Sequence, residues 1–231
     1  MIYRWDVRGY DVVFSTRLGG VSEGPFASLN LGKLTLDCED HVEENRRRLC
    51  AQIGADVASL ALNRQQHSAV VNRATAGSRD EPGDGLWTDE PGVALLKLTA
   101  DCVPIALVRE DRPGLALLHV GWRGLLEGIA VAGVAAVGGK LRAAVGPAIG
   151  PCCYEVGPEV AEPFRRRYGA DVVRGRMLDL WTAAERALGV AGVAKVERFD
   201  ICTSCNPDLF FSHRREAGVT GRQGVIGAVV G

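Results

Sequence analysis

The 231-residue sequence has no apolar run approaching the roughly 20 residues needed to span a bilayer, which argues against a membrane-embedded chain. Its first residues, Met1-Ile2-Tyr3-Arg4-Trp5-Asp6, lack the basic start and extended apolar stretch of a secretory signal, so a cytoplasmic protein is expected. An excess of either charge is also missing. The 27 basic and 28 acidic residues leave a formal net charge of −1, with no basic stripe to attract a nucleic-acid backbone. The triplets Arg46-Arg47-Arg48 and Arg165-Arg166-Arg167 fall inside helical patterns and read as solvated faces. Seven cysteines, odd in number and thinly spread, do not make the disulfide framework of a small secreted domain. Internal repeats, low-complexity tracts and linkers are absent as well. The 47% hydrophobic content supports a sizeable core, and one mixed α/β domain over residues 1–231 is the simplest organisation.

What is present centres on two apolar runs. Thr99-Ala100-Asp101-Cys102-Val103-Pro104 opens the first, and His119-Val120-Gly121-Trp122-Arg123-Gly124 closes the second. Asp111-Arg112-Pro113-Gly114 between them is a turn signal, so the runs read as the two strands of a hairpin. In a hairpin the start of one strand lies beside the end of the next, which brings Cys102 near His119 although 17 residues separate them. Around this pair the pattern predicts a strand over 10–17, a polar loop over 21–31, a helix over 40–53 capped by Asp40, and a short strand over 59–62. It also predicts strands over 69–71, 141–145, 196–201 and 223–230, and a strand-like stretch over 209–213. Helices are expected over 125–137, 158–168 and 178–188, the first weakened by Gly128 and Gly133.

Four histidines are available. His41 lies among acidic residues at a helix start and reads as solvated. His67 and His119 each border an apolar stretch beside polar or glycine-rich sequence. With Cys102 they form a Cys/His/His set that can hold zinc through three protein ligands, leaving a fourth position for water or substrate. The spacing is long, so such a site would be assembled by the fold rather than by a local finger. Without metal, Cys102 and His119 could act as nucleophile and base, with Asp101 orienting. Asp101 could equally be the outer partner of a ligand, and Cys102 a buried small hydrophobe. Arg17, flanking the polar loop, and Asn30, within it, are candidate substrate contacts, Arg17 also for an anion; the alternative is a plain surface connection. Arg123, at a helix start, is a candidate anion contact or a structural ion pair. Cys202-Thr203-Ser204-Cys205 is a lone CxxC, more consistent with a structural role than with redox catalysis. Cys152-Cys153 could line a pocket, but adjacent side chains diverge in extended backbone and seldom share one metal.

Several of these stretches resemble the YfiH/laccase-domain family, also called multicopper polyphenol oxidoreductases and, more recently, purine nucleoside phosphorylases. They are Phe14-Ser15-Thr16-Arg17 with Gly19-Gly20-Val21-Ser22, Ser28-Leu29-Asn30-Leu31-Gly32, Gln66-His67 and the two motifs of the hairpin. Gly146-Pro147-Ala148-Ile149-Gly150-Pro151-Cys152-Cys153-Tyr154-Glu155-Val156, Phe210-Phe211-Ser212-His213-Arg214-Arg215 and Gly221-Arg222-Gln223-Gly224 complete the match. The resemblance implies one α/β domain with mostly antiparallel central sheets flanked by helices. It implies zinc held by His67, Cys102 and His119, and phosphorolysis of purine nucleosides (adenosine, inosine, guanosine, methylthioadenosine) with adenosine deamination alongside. The partners expected are therefore a nucleoside and phosphate, without nucleic acid or membrane. Copper-dependent oxidation of polyphenols is the older assignment; a single Cys/His/His site offers few ligands for a multicopper cluster. A metal-free Cys–His hydrolase and a non-enzymatic binding domain with structural zinc are the other readings. The sequence departs from the family at Ser68, where glycine is usual, and at Lys33-Leu34-Thr35-Leu36-Asp37, where a His-Val-Gly-Asp stretch is usual.

Overall fold

The computed structural model describes residues 2–230. In chain order its strands are β1 (Ile2–Val7), β2 (Tyr10–Ser15), β3 (Leu60–Ala61), β4 (Val71–Arg73), β5 (Gly85–Thr88), β6 (Ala94–Thr99), β7 (Val103–Arg109), β8 (Leu115–Val120), β9 (Leu141–Val145), β10 (Val173–Arg174), β11 (Met177–Leu178), β12 (Lys195–Arg198) and β13 (Gln223–Val229). The α-helices are α1 (Glu39–Ala51), α2 (Trp122–Glu127), α3 (Ile129–Val137), α4 (Pro158–Tyr168) and α5 (Leu180–Val190). None is long and apolar enough to cross a membrane.

Side-chain alternation along the strands explains the layering. In β7, Val103, Ile105 and Leu107 share a core with helices α2 to α5, whereas Ala106 and Val108 face the other way. Strand β8 repeats this, with Ala116, Leu118 and Val120 toward the helices and Leu115 and Leu117 away from them. These strands are central in a six-stranded sheet of order β12-β9-β7-β8-β5-β4. Their second face packs on a five-stranded sheet of order β1-β2-β13-β6-β3, through Trp5, Val12, Phe14, Leu95 and Val225. The outer face of that sheet, with Val13, Leu96 and Ile226, is covered by Leu49 and Cys50 of α1 together with Leu29 and Leu31. Helix, sheet, sheet and helices therefore succeed one another. Each fully buried Leu or Ile in these layers contributes about 1.5–3 kcal/mol. Strand pairs are mostly antiparallel, and the parallel ones, β12 with β9, β3 with β6 and β4 with β5, lie at sheet edges. This is the α/β architecture that the resemblance implies.

The hairpin forms in the expected register, with Val103 opposite Val120 and Pro104 opposite His119. Three expectations need correction. The helix expected over 125–137 is two helices, broken at Gly128, whose φ of 99° is left-handed. Gly133 lies so close to the sheet that a Cβ there would come within 2.7 Å of Leu118 Cδ1. The stretch 209–213 is not a strand. Its backbone is satisfied by a side chain: Phe211 N–H donates to Gln223 Oε1 at 2.8 Å, and Gln223 Nε2 donates to Phe211 O at 3.0 Å. Asp40 lies inside the first turn of α1, and Cys38 occupies the N-cap without a side-chain cap bond.

Candidate metal centre

His67, Cys102 and His119 converge. One ligand atom from each lies within 4.8 Å of the other two, and Cys102 Sγ is 3.8 Å from His67 Nε2. Three elements deliver them. Cys102 sits at the entry to β7, His119 near the end of β8, and His67 in the loop between β3 and β4. The imidazole rings meet edge to face with centroids 4.9 Å apart. Both His67 (φ 62°) and Asp101 (φ 87°) adopt left-handed backbone, a conformation that costs non-glycine residues on the order of 1–3 kcal/mol and clusters at functional sites. Gly121 makes the approach possible: a Cβ there would stand 2.7 Å from His67 Cδ2 and 3.2 Å from Cys102 Sγ.

Asp84, which no local sequence pattern marks, organises the candidate ligands. Its Oδ1 accepts from His119 Nδ1 at 2.8 Å. Its Oδ2 accepts from Gln66 N–H at 3.0 Å, Ser68 N–H at 2.7 Å and Ser68 Oγ–H at 2.8 Å, which brackets His67. Burial raises the Asp84 carboxyl, but the His119 hydrogen bond and the Ser68 and Gln66 amides outweigh it and hold the group well below the usual range. An ionised carboxylate only accepts, so His119 carries its proton on Nδ1 and turns the Nε2 lone pair toward the other ligands. Burial pushes the His119 imidazole down to about 4, against the pull of Asp84. The residue is thus neutral and ready to ligate.

Burial, followed by the charges of Asp101 and Asp84, pushes the Cys102 thiol up to about 12. A cation among these atoms would reverse that by stabilising the thiolate. The donor set of one sulfur and two imidazole nitrogens, with a carboxylate behind one imidazole, suits zinc.

The three residues line a cavity of about 790 Å³, within the range of roughly 300–1,000 Å³ typical of small-molecule sites. Its walls include Trp122, Tyr154 and Leu98, and the cations Arg46, Arg64, Arg79, Arg214 and Arg222. Arg46, expected on a solvated face, is buried and donates twice to Leu31 O. Arg222 donates to the carbonyls of Thr220 and Gly221, and burial lowers its pKa. Lys97, wholly buried in β6, donates to Asn63 Oδ1 on the cavity wall; burial brings its pKa down to about 7.

The other residues singled out in the sequence lie as follows. Asp101 borders the cavity, with Oδ1 accepting from Thr203 Oγ–H at 2.6 Å and Oδ2 from Arg214 N–H at 2.7 Å. Arg17 does not reach the cavity. It donates to Ala27 O and Pro207 O and stacks over Phe211 at 4.5 Å. Asn30 is buried behind the wall, where Nδ2 donates to Asp37 and Thr35 while Oδ1 accepts from Gly32 and Arg222 amides. It shapes the loop whose Gly32, Lys33, Leu34 and Thr35 form part of the cavity. Arg123 is exposed on α2 with its guanidinium 4.8 Å over Trp122; the tryptophan faces the cavity and the arginine does not.

Comparison with known proteins assigns the chain to a family. The model of the family described as multi-copper polyphenol oxidoreductase laccase matches residues 11–229. Purine nucleoside phosphorylase YlmD of Geobacillus stearothermophilus is 38% identical over 90% of this chain and 86% of its own. Purine nucleoside phosphorylase YfiH of Escherichia coli is 34% identical over 93% and 92%. The crystal structure of the Geobacillus YlmD superposes with a TM-score of 0.90 at 36% identity, covering 97% of this chain and 93% of that one. That of the hypothetical protein YfiH from Bacillus licheniformis gives 0.91 at 32%, covering 95% and 92%. With sequence and fold matching over nearly its whole length, this chain belongs to the YfiH/laccase-like family.

Proposed function

We propose that this protein is a zinc-dependent purine nucleoside phosphorylase of the cytoplasm, working as one domain over residues 1–231, with adenosine deamination as a side activity. The single observation that carries the reading is the convergence of one sulfur and two imidazoles on a cavity rich in arginine. The names of the relatives support the reaction class.

In this reading His67, Cys102 and His119 hold the metal, which supplies a Lewis acid able to acidify water near neutral pH. Asp84 fixes the His119 tautomer and the His67 loop at once. Arg222 and Arg64 orient an anionic phosphate, and the flat faces of Trp122 and Tyr154 receive the purine. Asp101, the carboxylate beside Cys102, handles the proton that moves as the base leaves. The loop over 33–37, with Leu34 and Leu36 largely exposed, sets which nucleosides are accepted. A metal-free hydrolase fits less well, because a thiol pushed up to about 12 is a poor source of thiolate.

The test is phosphate-dependent release of hypoxanthine from inosine, measured with zinc content. Cys102→Ala is expected to lose both the zinc held at this centre and the turnover. Full turnover in that variant, or activity indifferent to phosphate, overturns the proposal.

A further inference from the structure

Four of the seven cysteines meet at a second place, away from His67 and His119. Cys152 and Cys153 lie in the loop after β9, and Cys202 and Cys205 in the loop after β12. Their four sulfurs all lie within 4.8 Å of one another. Cys205 Sγ is 3.4 Å from Cys152 Sγ and 3.3 Å from Cys153 Sγ, close contacts that are not disulfide bonds.

The sequence argued against Cys152 and Cys153 as a pair because extended backbone would point them apart. The backbone there is a tight turn instead, with Cys153 N–H and Tyr154 N–H both donating to Gly150 O at 3.0 Å. The turn aims both thiols to one side. The two loops are also held in register by backbone: Ala148 N–H donates to Ile201 O at 3.3 Å, and Thr203 N–H to Ala148 O at 3.0 Å. Gly150 N–H donates to Cys202 Sγ at 3.3 Å, the kind of amide contact that supports a thiolate ligand.

We propose that Cys152, Cys153, Cys202 and Cys205 form a second metal site, a tetrathiolate centre for zinc. A tetrahedral ion with Zn–S bonds of about 2.3 Å spaces its sulfurs about 3.8 Å apart, a spacing reached by small rotations of the exposed Cys152 and Cys205 and the half-exposed Cys153 about the buried Cys202. With all four positions taken by protein, the site is closed and structural. As each Zn–S bond forms, its thiol gives a proton to solvent. The ion would clamp the loop that carries Ile149 and Tyr154 of the cavity to the loop whose Thr203 holds Asp101. The inference does not depend on the proposed activity, because it is read by metal content.

The experiment is zinc analysis of protein purified under reducing conditions. Two equivalents per chain are expected in the wild type, and one in each of Cys102→Ala, Cys205→Ser and Cys152→Ser. The two serine variants replace exposed side chains, so one can substitute for the other if either folds badly. Cobalt added to metal-stripped Cys102→Ala should give the intense thiolate charge-transfer and tetrahedral d–d bands of a tetrathiolate, and these should vanish with Cys205→Ser added. No zinc in Cys102→Ala, or a disulfide among these cysteines detected by mass spectrometry in the reduced preparation, overturns the proposal.

Discussion

Asp84 and His119 are joined twice: His119 Nδ1 donates to the Asp84 carboxylate at 2.8 Å, and His119 N–H donates to the Asp84 carbonyl at 2.7 Å. The same carboxylate takes three further donors from Gln66 and Ser68. One acidic side chain thereby ties the end of β8 to the loop bearing His67, two of the elements that meet at the candidate metal centre.

Asp84→Asn tests that dependence. Either orientation of the amide turns its NH2 toward existing donors, so one side of the clamp is broken. Zinc affinity at the His67–Cys102–His119 centre is expected to fall on the order of 10–100-fold, the usual effect of removing such an outer partner. Competition with a calibrated chelator measures it, and unchanged affinity contradicts the role.

Gly121→Ala adds one methyl group against His67 Cδ2 and Cys102 Sγ. The backbone at this position has φ −83° and tolerates alanine, so the conflict lies with the ligands alone. A protein with near-native far-ultraviolet circular dichroism but greatly weakened zinc binding at this centre is expected. Retention of wild-type affinity would show that the ligands have room to move.

Lys97 gives a pH signature. Burial lowers its pKa to about 7 in the fold, against 10.5 for an ordinary lysine. Between these values the unfolded chain binds the extra proton, so this group makes wild-type stability rise with pH, by up to about 1.4 kcal/mol per unit. Below pH 7 both states are protonated and the penalty is constant. Lys97→Met removes the titration but leaves Asn63 Oδ1 without its donor. Urea unfolding from pH 7 to 9.5 should show the variant's relative advantage shrinking as pH rises. A pH-independent difference sinks the assignment.

Arg222→Met and Arg17→Met separate a cavity cation from a structural one. Loss of a charge-assisted contact to phosphate, about 1.5–3 kcal/mol, predicts that Arg222→Met lowers kcat/KM for phosphate by roughly 10–100-fold. Arg17→Met should instead lower unfolding stability by about 2 kcal/mol with little change in phosphate KM, because its donors serve Ala27 and Pro207 carbonyls. Steady-state kinetics with denaturant melts on both variants would expose a reversal of these roles.

Local chemistry in the sequence reached far. Two continuous apolar runs on either side of Asp111-Arg112-Pro113-Gly114 specify the β7–β8 hairpin, and the hairpin alone puts Cys102 beside His119. Pro158 at a helix start and the short stretch Leu141-Arg142-Ala143-Ala144-Val145 are equally local signals, and both elements form as expected. Signals fail where a side chain or a distant strand supplies the backbone's partner. Residues 209–213 look like a strand, yet Gln223 takes the hydrogen bonds a neighbouring strand would have made. Arg17 flanks a polar loop and Asn30 lies within it, which suggests substrate contact, but their polar atoms face the protein's own carbonyls, amides and side chains.

By itself, then, the sequence determined the strand periods and the hairpin, and it offered three candidate ligands of soft or borderline type, because those depend on residue type and near neighbours. Only the tertiary structure decided that Asp84 stands behind His119, that Arg222 rather than Arg17 borders the cavity, and that four cysteines from two loops meet. Such pairings join residues tens of positions or more apart. They follow from how sheets stack and loops dock, which no local pattern of charge or hydrophobicity encodes.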